Sequence, residues 1–161
     1  MSNQYFIKYT LINVFVFTYL SFFSQTQPLQ PSLGPGSNVY KHSGVNKYDF
    51  NPAFTSDGYW MYEPTSPKPD SANVIVLNHG YGVYNPGPYG DWIEHLVRKG
   101  NIVIFPRYQY NITIPLPSAF TNNTSKAIRN ALTELTSNSN YVQPKYNNLV
   151  IIGHSYGGVI T

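Results

Sequence analysis

The stretch Asn148-Leu149-Val150-Ile151-Ile152-Gly153-His154-Ser155-Tyr156-Gly157-Gly158 decides how this chain is read. An apolar run rich in β-branched residues and bounded by turn signals is the pattern of a strand covered on both faces. Gly158-Val159-Ile160 then reads as the start of a helix, with Ser155 held between Gly153 and Gly157 in the turn. A serine hydroxyl is a weak nucleophile until a base takes its proton and its Oγ projects clear of the backbone. A sharp strand-to-helix turn provides that projection, but it strains the backbone and brings neighbours close on both sides. Glycine two before and two after the serine meets both demands.

Working upstream, the same architecture repeats. Asn73-Val-Ile-Val-Leu77 and Asn101-Ile-Val-Ile-Phe105 are two further continuous apolar runs, the second stopped by Pro106. Between them Asp91 to Lys99 reads as a helix, with Trp92, Leu96, Ile93 and Val97 at helical spacing and Gly100 placed to end it. A loop with Pro115 and Pro117 leads to a second helical stripe of Ala127, Ile128, Ala131, Leu132 and Leu135, for which Thr121 to Thr124 offer caps and which Pro144 breaks. Val39 to Phe50 and Gly58 to Tyr62 are aromatic-rich runs that read as strands joined by turns, with Pro64, Pro67 and Pro69 closing the second. Strand, helix, strand, helix, strand with apolar strands predicts a predominantly parallel sheet with flanking helices. Ligands on such sheets bind at the carboxyl ends of the strands, here His79-Gly80-Tyr81-Gly82, Pro106-Arg107-Tyr108 and Gly153-His154-Ser155.

Composition narrows the function classes. The chain has 161 residues, no cysteine and a formal charge of +3, so disulfides, thiolate nucleophiles and cysteine-ligated zinc are excluded. Its basic residues are scattered singly or in pairs, as at Arg98-Lys99 and Lys126 with Arg129. Counterion release needs several phosphate contacts from one face, so no nucleic-acid partner is expected. The low charge content of 11% and the 15 tyrosines suit a secreted or cell-envelope protein.

Residues 1–26 have the order of a secretory signal peptide: Lys8, an uncharged apolar stretch from Leu11 to Phe23, then Ser24-Gln25-Thr26. An uncleaved N-terminal anchor is the alternative, and no stable membrane span is expected after cleavage. Residues 27–37, with Pro28, Pro31, Gly34, Pro35 and Gly36, read as an extended linker ahead of a domain over residues 38–161.

The segment from Val74 through Gln109, with Asn78-His79-Gly80-Tyr81-Gly82 and Gly100-Asn101-Ile102-Val103-Ile104-Phe105-Pro106-Arg107-Tyr108, together with Gly153-His154-Ser155-Tyr156-Gly157-Gly158, resembles the N-terminal half of the α/β-hydrolase superfamily. Within it the likeness is to esterase-like members near the dienelactone hydrolase, chlorophyllase and polyester-hydrolase groups. The resemblance implies hydrolysis of a carboxylic ester, a small molecule, lipid or polymer, through an acyl-enzyme with Ser155 as nucleophile. It implies an oxyanion hole of two backbone N–H groups: that of Tyr156, and one from the loop after the first buried strand, assigned to Tyr81 because Gly80 and Gly82 let that backbone approach the substrate. It implies no cofactor and no metal.

The superfamily places its acid and then its histidine after the serine, whereas only Tyr156 to Thr161 follow Ser155 here. The expectation is therefore the front part of a hydrolase domain, ending after the serine turn and lacking both partners. The upstream histidines do not replace them: His79 begins the oxyanion loop and braces it, His154 sits on a turn that points adjacent side chains apart, and His95 lies in a helix as a surface or partly covered residue. Arg107 is expected in a structural ion pair. Asn111-Ile-Thr113 and Asn122-Asn-Thr124 match glycosylation acceptors. The alternative from another class is a non-catalytic secreted binding or structural protein that keeps half of such a fold. Against it stands the strand ending at Ile152, a central strand left as an edge that invites aggregation.

Overall fold

Five strands form one mixed sheet in the computed structural model, which describes residues 28–52 and 55–161. They are β1 (Gly44–Phe50), β2 (Tyr59–Thr65), β3 (Ser71–Asn78), β4 (Asn101–Pro106) and β5 (Gln143–Gly153), in the spatial order β1-β2-β4-β3-β5. The helices are α1 (Gly90–Arg98), α2 (Phe120–Ser137) and the short α3 (Tyr156–Val159). Residues up to Asn38 and residues from Val39 onward form two separate units. In the first, residues 28–38 run through turns and bends without helix or strand, and the expected signal segment lies outside the described residues.

β1 pairs antiparallel with β2, and β2 antiparallel with β4, while β3 runs parallel to both β4 and β5. The chain climbs β3, returns through α1 to β4 on one side, then crosses back through α2 to β5 on the other. Alternation along the strands divides the core between two faces. Met61, Val74, Val76, Ile102 and Ile104 pack with Ala127, Ala131 and Leu135 of α2. Trp60, Tyr62, Leu77, Val103 and Phe105 pack with Ile93 and Val97 of α1. The two alanines let α2 lie close to the sheet while Leu135 fills the space beyond them. Trp92, expected in the buried stripe of α1, is instead exposed.

Three expectations need correction. The run 148–152 is a strand, but not a covered one: Leu149, Val150 and Ile151 are 45%, 51% and 39% exposed because β5 is outermost and pairs only with β3. It also starts earlier, at Gln143, and takes Pro144 into the ladder. An edge strand tolerates a residue without an N–H, and the register shifts between the pairs Ala72↔Pro144 and Val74↔Leu149. Pro64 likewise lies inside β2 rather than ending it, where pairing with β4 has stopped at Tyr62 and only β1 is a neighbour. Finally, Thr121 to Thr124 do not cap α2. The helix begins at Phe120, led in by the 3-10 turn Pro117–Ala119, and has no side-chain cap; Thr124 is buried within it.

Candidate active site

The register of the sheet brings the two glycine-bearing loops together. Asn78, the last residue of β3, pairs with Gly153, the last residue of β5, so the loops that follow leave adjacent parallel strands at the same level. The N–H of His154 donates to the Asn78 carbonyl at 3.0 Å, which extends the pairing into the turn itself.

Ser155 takes φ 54°, ψ −123°, one of two non-glycine residues with positive φ among the described residues. That conformation costs on the order of 1–3 kcal/mol and persists only where surrounding contacts enforce it. The enforcement is visible at the flanking glycines. A Cβ on Gly153 would overlap the backbone of Gly157, and a Cβ on Gly157 would overlap the carbonyl oxygens of Asn78 and His79. The turn closes through Gly157 N–H to His154 O at 2.9 Å and Gly158 N–H to Ser155 O at 3.0 Å. Ser155 is exposed. The backbone N–H groups of Tyr81 and Tyr156 have no acceptor among the described residues.

The loop after β3 is held from below and from the side. His79 is fully buried, its ring stacked on Tyr108 at 4.0 Å between centroids and 5° between planes, and its Nδ1–H donates to Gly80 O at 2.7 Å. That bond leaves Nε2 as the bare nitrogen. Burial lowers the His79 pKa to about 4, opposed in part by the hydrogen bond to the Gly80 carbonyl, so the ring is neutral at ordinary pH. Tyr108 donates its hydroxyl to the His79 carbonyl, and burial pushes that phenol up. The buried Gln109 accepts the Gly82 N–H through Oε1 at 2.8 Å. The Tyr81 hydroxyl reaches Ile112 O at 2.6 Å, and the Tyr81 and Tyr156 rings lie 6.1 Å apart with Phe120 beside both.

The four histidines are each engaged by the fold. His42 Nδ1 lies 2.6 Å from Pro67 O, His95 Nδ1 lies 3.2 Å from the Tyr40 hydroxyl, and His154 Nδ1 lies 2.9 Å from the Tyr89 hydroxyl. Arg107 makes no carboxylate pair among the described residues; its guanidinium donates to the carbonyls of Pro52 and Thr55 and so anchors the loop between β1 and β2. Sequence reasoning named Tyr108 only as part of the strand end Pro106-Arg107-Tyr108, without a role, and missed Tyr89 and Gln109. Gln109 directly follows that strand end, and its position is the available signal; Tyr89 carries none.

The family described as Chlorophyllase matches residues 61–161, which take in both loops and the serine turn. The chain belongs to the chlorophyllase family. This places it among the α/β-hydrolase-like folds that the strand order and the loops resemble. Among solved structures, the acetyl xylan esterase from Paenibacillus sp. R4 is similar in fold, with a TM-score of 0.51 at 16% identity over 75% of this chain. The chain spans 45% of that esterase's length. No curated protein matches it. The family match ends at Thr161 and begins inside β2, so β1 lies outside it.

Proposed function

We propose that this chain supplies the nucleophile and oxyanion hole of a serine ester hydrolase, with Ser155 attacking the ester carbonyl and the N–H groups of Tyr81 and Tyr156 receiving the developing oxyanion. The observation that carries the reading is the conformation of Ser155 at φ 54°, held by two glycines with no room for a Cβ. Membership of the chlorophyllase family and the esterase fold of the structural neighbour support an ester as substrate. Attack would form an acyl-enzyme and expel the alcohol, and water would then release the acid.

The base and its orienting acid come from chain beyond these 161 residues. The engagement of His42, His79, His95 and His154 elsewhere supports this, as does the uncovered β5 edge, against which further strands of such a sheet would pack. Secretion is part of the same reading, on the strength of residues 1–26.

Turnover of p-nitrophenyl butyrate by the full natural protein tests it. Ser155→Ala is expected to cost at least about 10⁴-fold in kcat, by analogy with other serine hydrolases, and the 161-residue chain alone is expected to be inert. Undiminished turnover in Ser155→Ala would sink the assignment of the nucleophile. Ser155-dependent turnover by the 161-residue chain would sink the assignment of the base to chain outside it.

A further inference from the structure

We propose that Tyr89 is a positioning residue for this chemistry, its hydroxyl fixing the oxyanion loop at its working distance from the serine turn; the proposal rests on the roles given above to Ser155, Tyr81 and Tyr156. Tyr89 ends the 3-10 turn Gly87–Tyr89 just ahead of α1, and its side chain is buried, with the ring 5.6 Å from Phe105 and 5.8 Å from His154. Its oxygen lies 2.8 Å from Gly80 N and 2.9 Å from His154 Nδ1.

The proton assignments follow from what each group is able to do. The Gly80 N–H only donates, so the Tyr89 oxygen accepts from it. The phenol has a single proton to give, and His154 Nδ1 is the other partner in reach. Tyr89 gives that proton to Nδ1 in the His154 tautomer that carries its own on Nε2.

The two partners occupy telling positions. Gly80 immediately precedes Tyr81, and His154 immediately precedes Ser155. Among the described residues this hydroxyl is the one hydrogen-bonded link between loop 80–82 and turn 153–155. The loop's other side-chain ties run elsewhere: Gln109 and Tyr108 hold Gly82 and the preceding His79 from the β4 side, the Tyr81 hydroxyl reaches Ile112 O, and His79 Nδ1 holds Gly80 O. Both oxyanion donors must lie about 2.7–3.1 Å from one oxygen atom, so the gap between loop and turn sets how well they converge. That gap is closed tightly. A Cβ on Gly80 would meet His154 Nδ1 at 3.3 Å, and Ser155 Cβ and the Tyr89 oxygen at 3.4 Å.

Tyr89→Phe keeps the ring and removes only the link. In the full natural protein, with p-nitrophenyl butyrate as substrate and active serines counted by fluorophosphonate titration, kcat per titrated serine is expected to fall by about tenfold to a hundredfold, the scale of a small misplacement of catalytic groups. KM is expected to stay within about twofold, because the link acts on the transition state rather than on substrate binding. A purely structural role would lower the thermal midpoint and the titre of active serine while leaving kcat per titrated serine at the wild-type value, and that result would overturn the proposal.

A second pair of variants reads the same link from its exposed end, should Tyr89→Phe not fold. His154→Gln offers an amide oxygen to the Tyr89 hydroxyl and is expected to lose less kcat than His154→Leu, which offers none. Equal losses in the two would also overturn the proposal. Turnover that survives Ser155→Ala would instead remove the reading on which it rests, so the two failures are distinguishable.

Discussion

Gly157 and Asn78 are packed backbone to backbone: a Cβ at Gly157 would overlap the Asn78 carbonyl oxygen, the same oxygen that accepts the His154 N–H. The serine turn therefore leans directly on the end of β3, and its geometry depends on that contact. Gly157→Ala is expected to destabilise the fold by about 1–3 kcal/mol, the usual cost of overpacking, towards the upper end because backbone atoms must move. Turnover should fall with it, because Ser155 moves too. Gly82 provides the contrast, since its φ of +79° strains any side chain although nothing lies within 4 Å of the added Cβ. Gly82→Ala should cost about 1–2 kcal/mol from the backbone alone. Urea unfolding of the two variants checks the order, and equal destabilisation would contradict it.

His79 should make stability depend on pH in a defined window. Burial holds its pKa at about 4, below the ordinary 6.5. Between those values the unfolded chain binds a proton that the folded chain refuses, so stability rises with pH across the window and is lost as pH falls from 6.5 towards 4. At about 1.36 kcal/mol per unit, the stake is about 3 kcal/mol. His79→Phe preserves stacking on Tyr108 and removes the titration. Unfolding free energies measured from about pH 7.5 to pH 4 should show the difference between wild type and variant shrinking or reversing in favour of the variant as pH falls. A difference independent of pH would count against this account.

How much of this was legible beforehand follows from the range of the forces involved. Val74 to Leu77 and Ile102 to Phe105 announce themselves because a strand buried on both faces must be apolar throughout, and the serine turn does so because its backbone demands glycine at fixed offsets. Tyr89, and Glu63 in β2, whose buried carboxylate accepts from Tyr48 and the Val142 N–H, are not legible in the sequence. Each acts through a partner far along the chain, and no local pattern marks a tyrosine that will bridge Gly80 and His154. Pro64 and Pro144 misled because a proline ends a strand only where its missing N–H is needed, and that depends on which neighbours the strand acquires. The exposure of β5 reflects a similar dependence, since an apolar run states what a strand is suited to meet and not what lies beside it.

Glu63 and Asp57 show why ion pairs here should differ in value. Glu63 is fully buried and accepts from the Tyr48 hydroxyl at 2.8 Å, the Val142 N–H at 2.7 Å, Asn46 Nδ2 at 3.4 Å and Lys68 Nζ at 3.1 Å. It thereby ties β1 and β2 to the entry of β5. The Lys68 side chain is 40% exposed, so the loss in Glu63→Ala falls on the Val142 N–H and the Tyr48 hydroxyl left without their acceptor, and should cost about 2–4 kcal/mol. Asp57 pairs with Lys126 of α2, and the hydrogen bond from that ammonium lowers its pKa, but the lysine side chain is 59% exposed. Lys126→Ala should cost under about 1 kcal/mol and lose its effect in high salt. Denaturation midpoints at low and high ionic strength separate the two cases, and a salt-independent Lys126→Ala effect would contradict the assignment.

The edge of β5 should govern how the isolated chain behaves in solution. Leu149, Val150 and Ile151 are exposed side by side on a strand whose outer edge has no partner in the sheet. An unpaired apolar edge offers both a ladder of backbone groups and an adhesive surface to any second copy, and natural edges are commonly protected by charge, proline or a bulge. Here the register shift and Pro144 fall in the first part of the strand, near the pairs Ala72↔Pro144 and Val74↔Leu149, and leave 149–151 unprotected. The 161-residue chain by itself should therefore associate as its concentration rises. Val150→Lys places a charge in the middle of the segment without touching either core cluster, and should shift association to at least about tenfold higher concentration, a change of about 1.4 kcal/mol. Sedimentation velocity across a dilution series measures both. A chain that stays monomeric throughout, or a Val150→Lys variant that associates as readily as wild type, would show that the open edge is not what holds copies together.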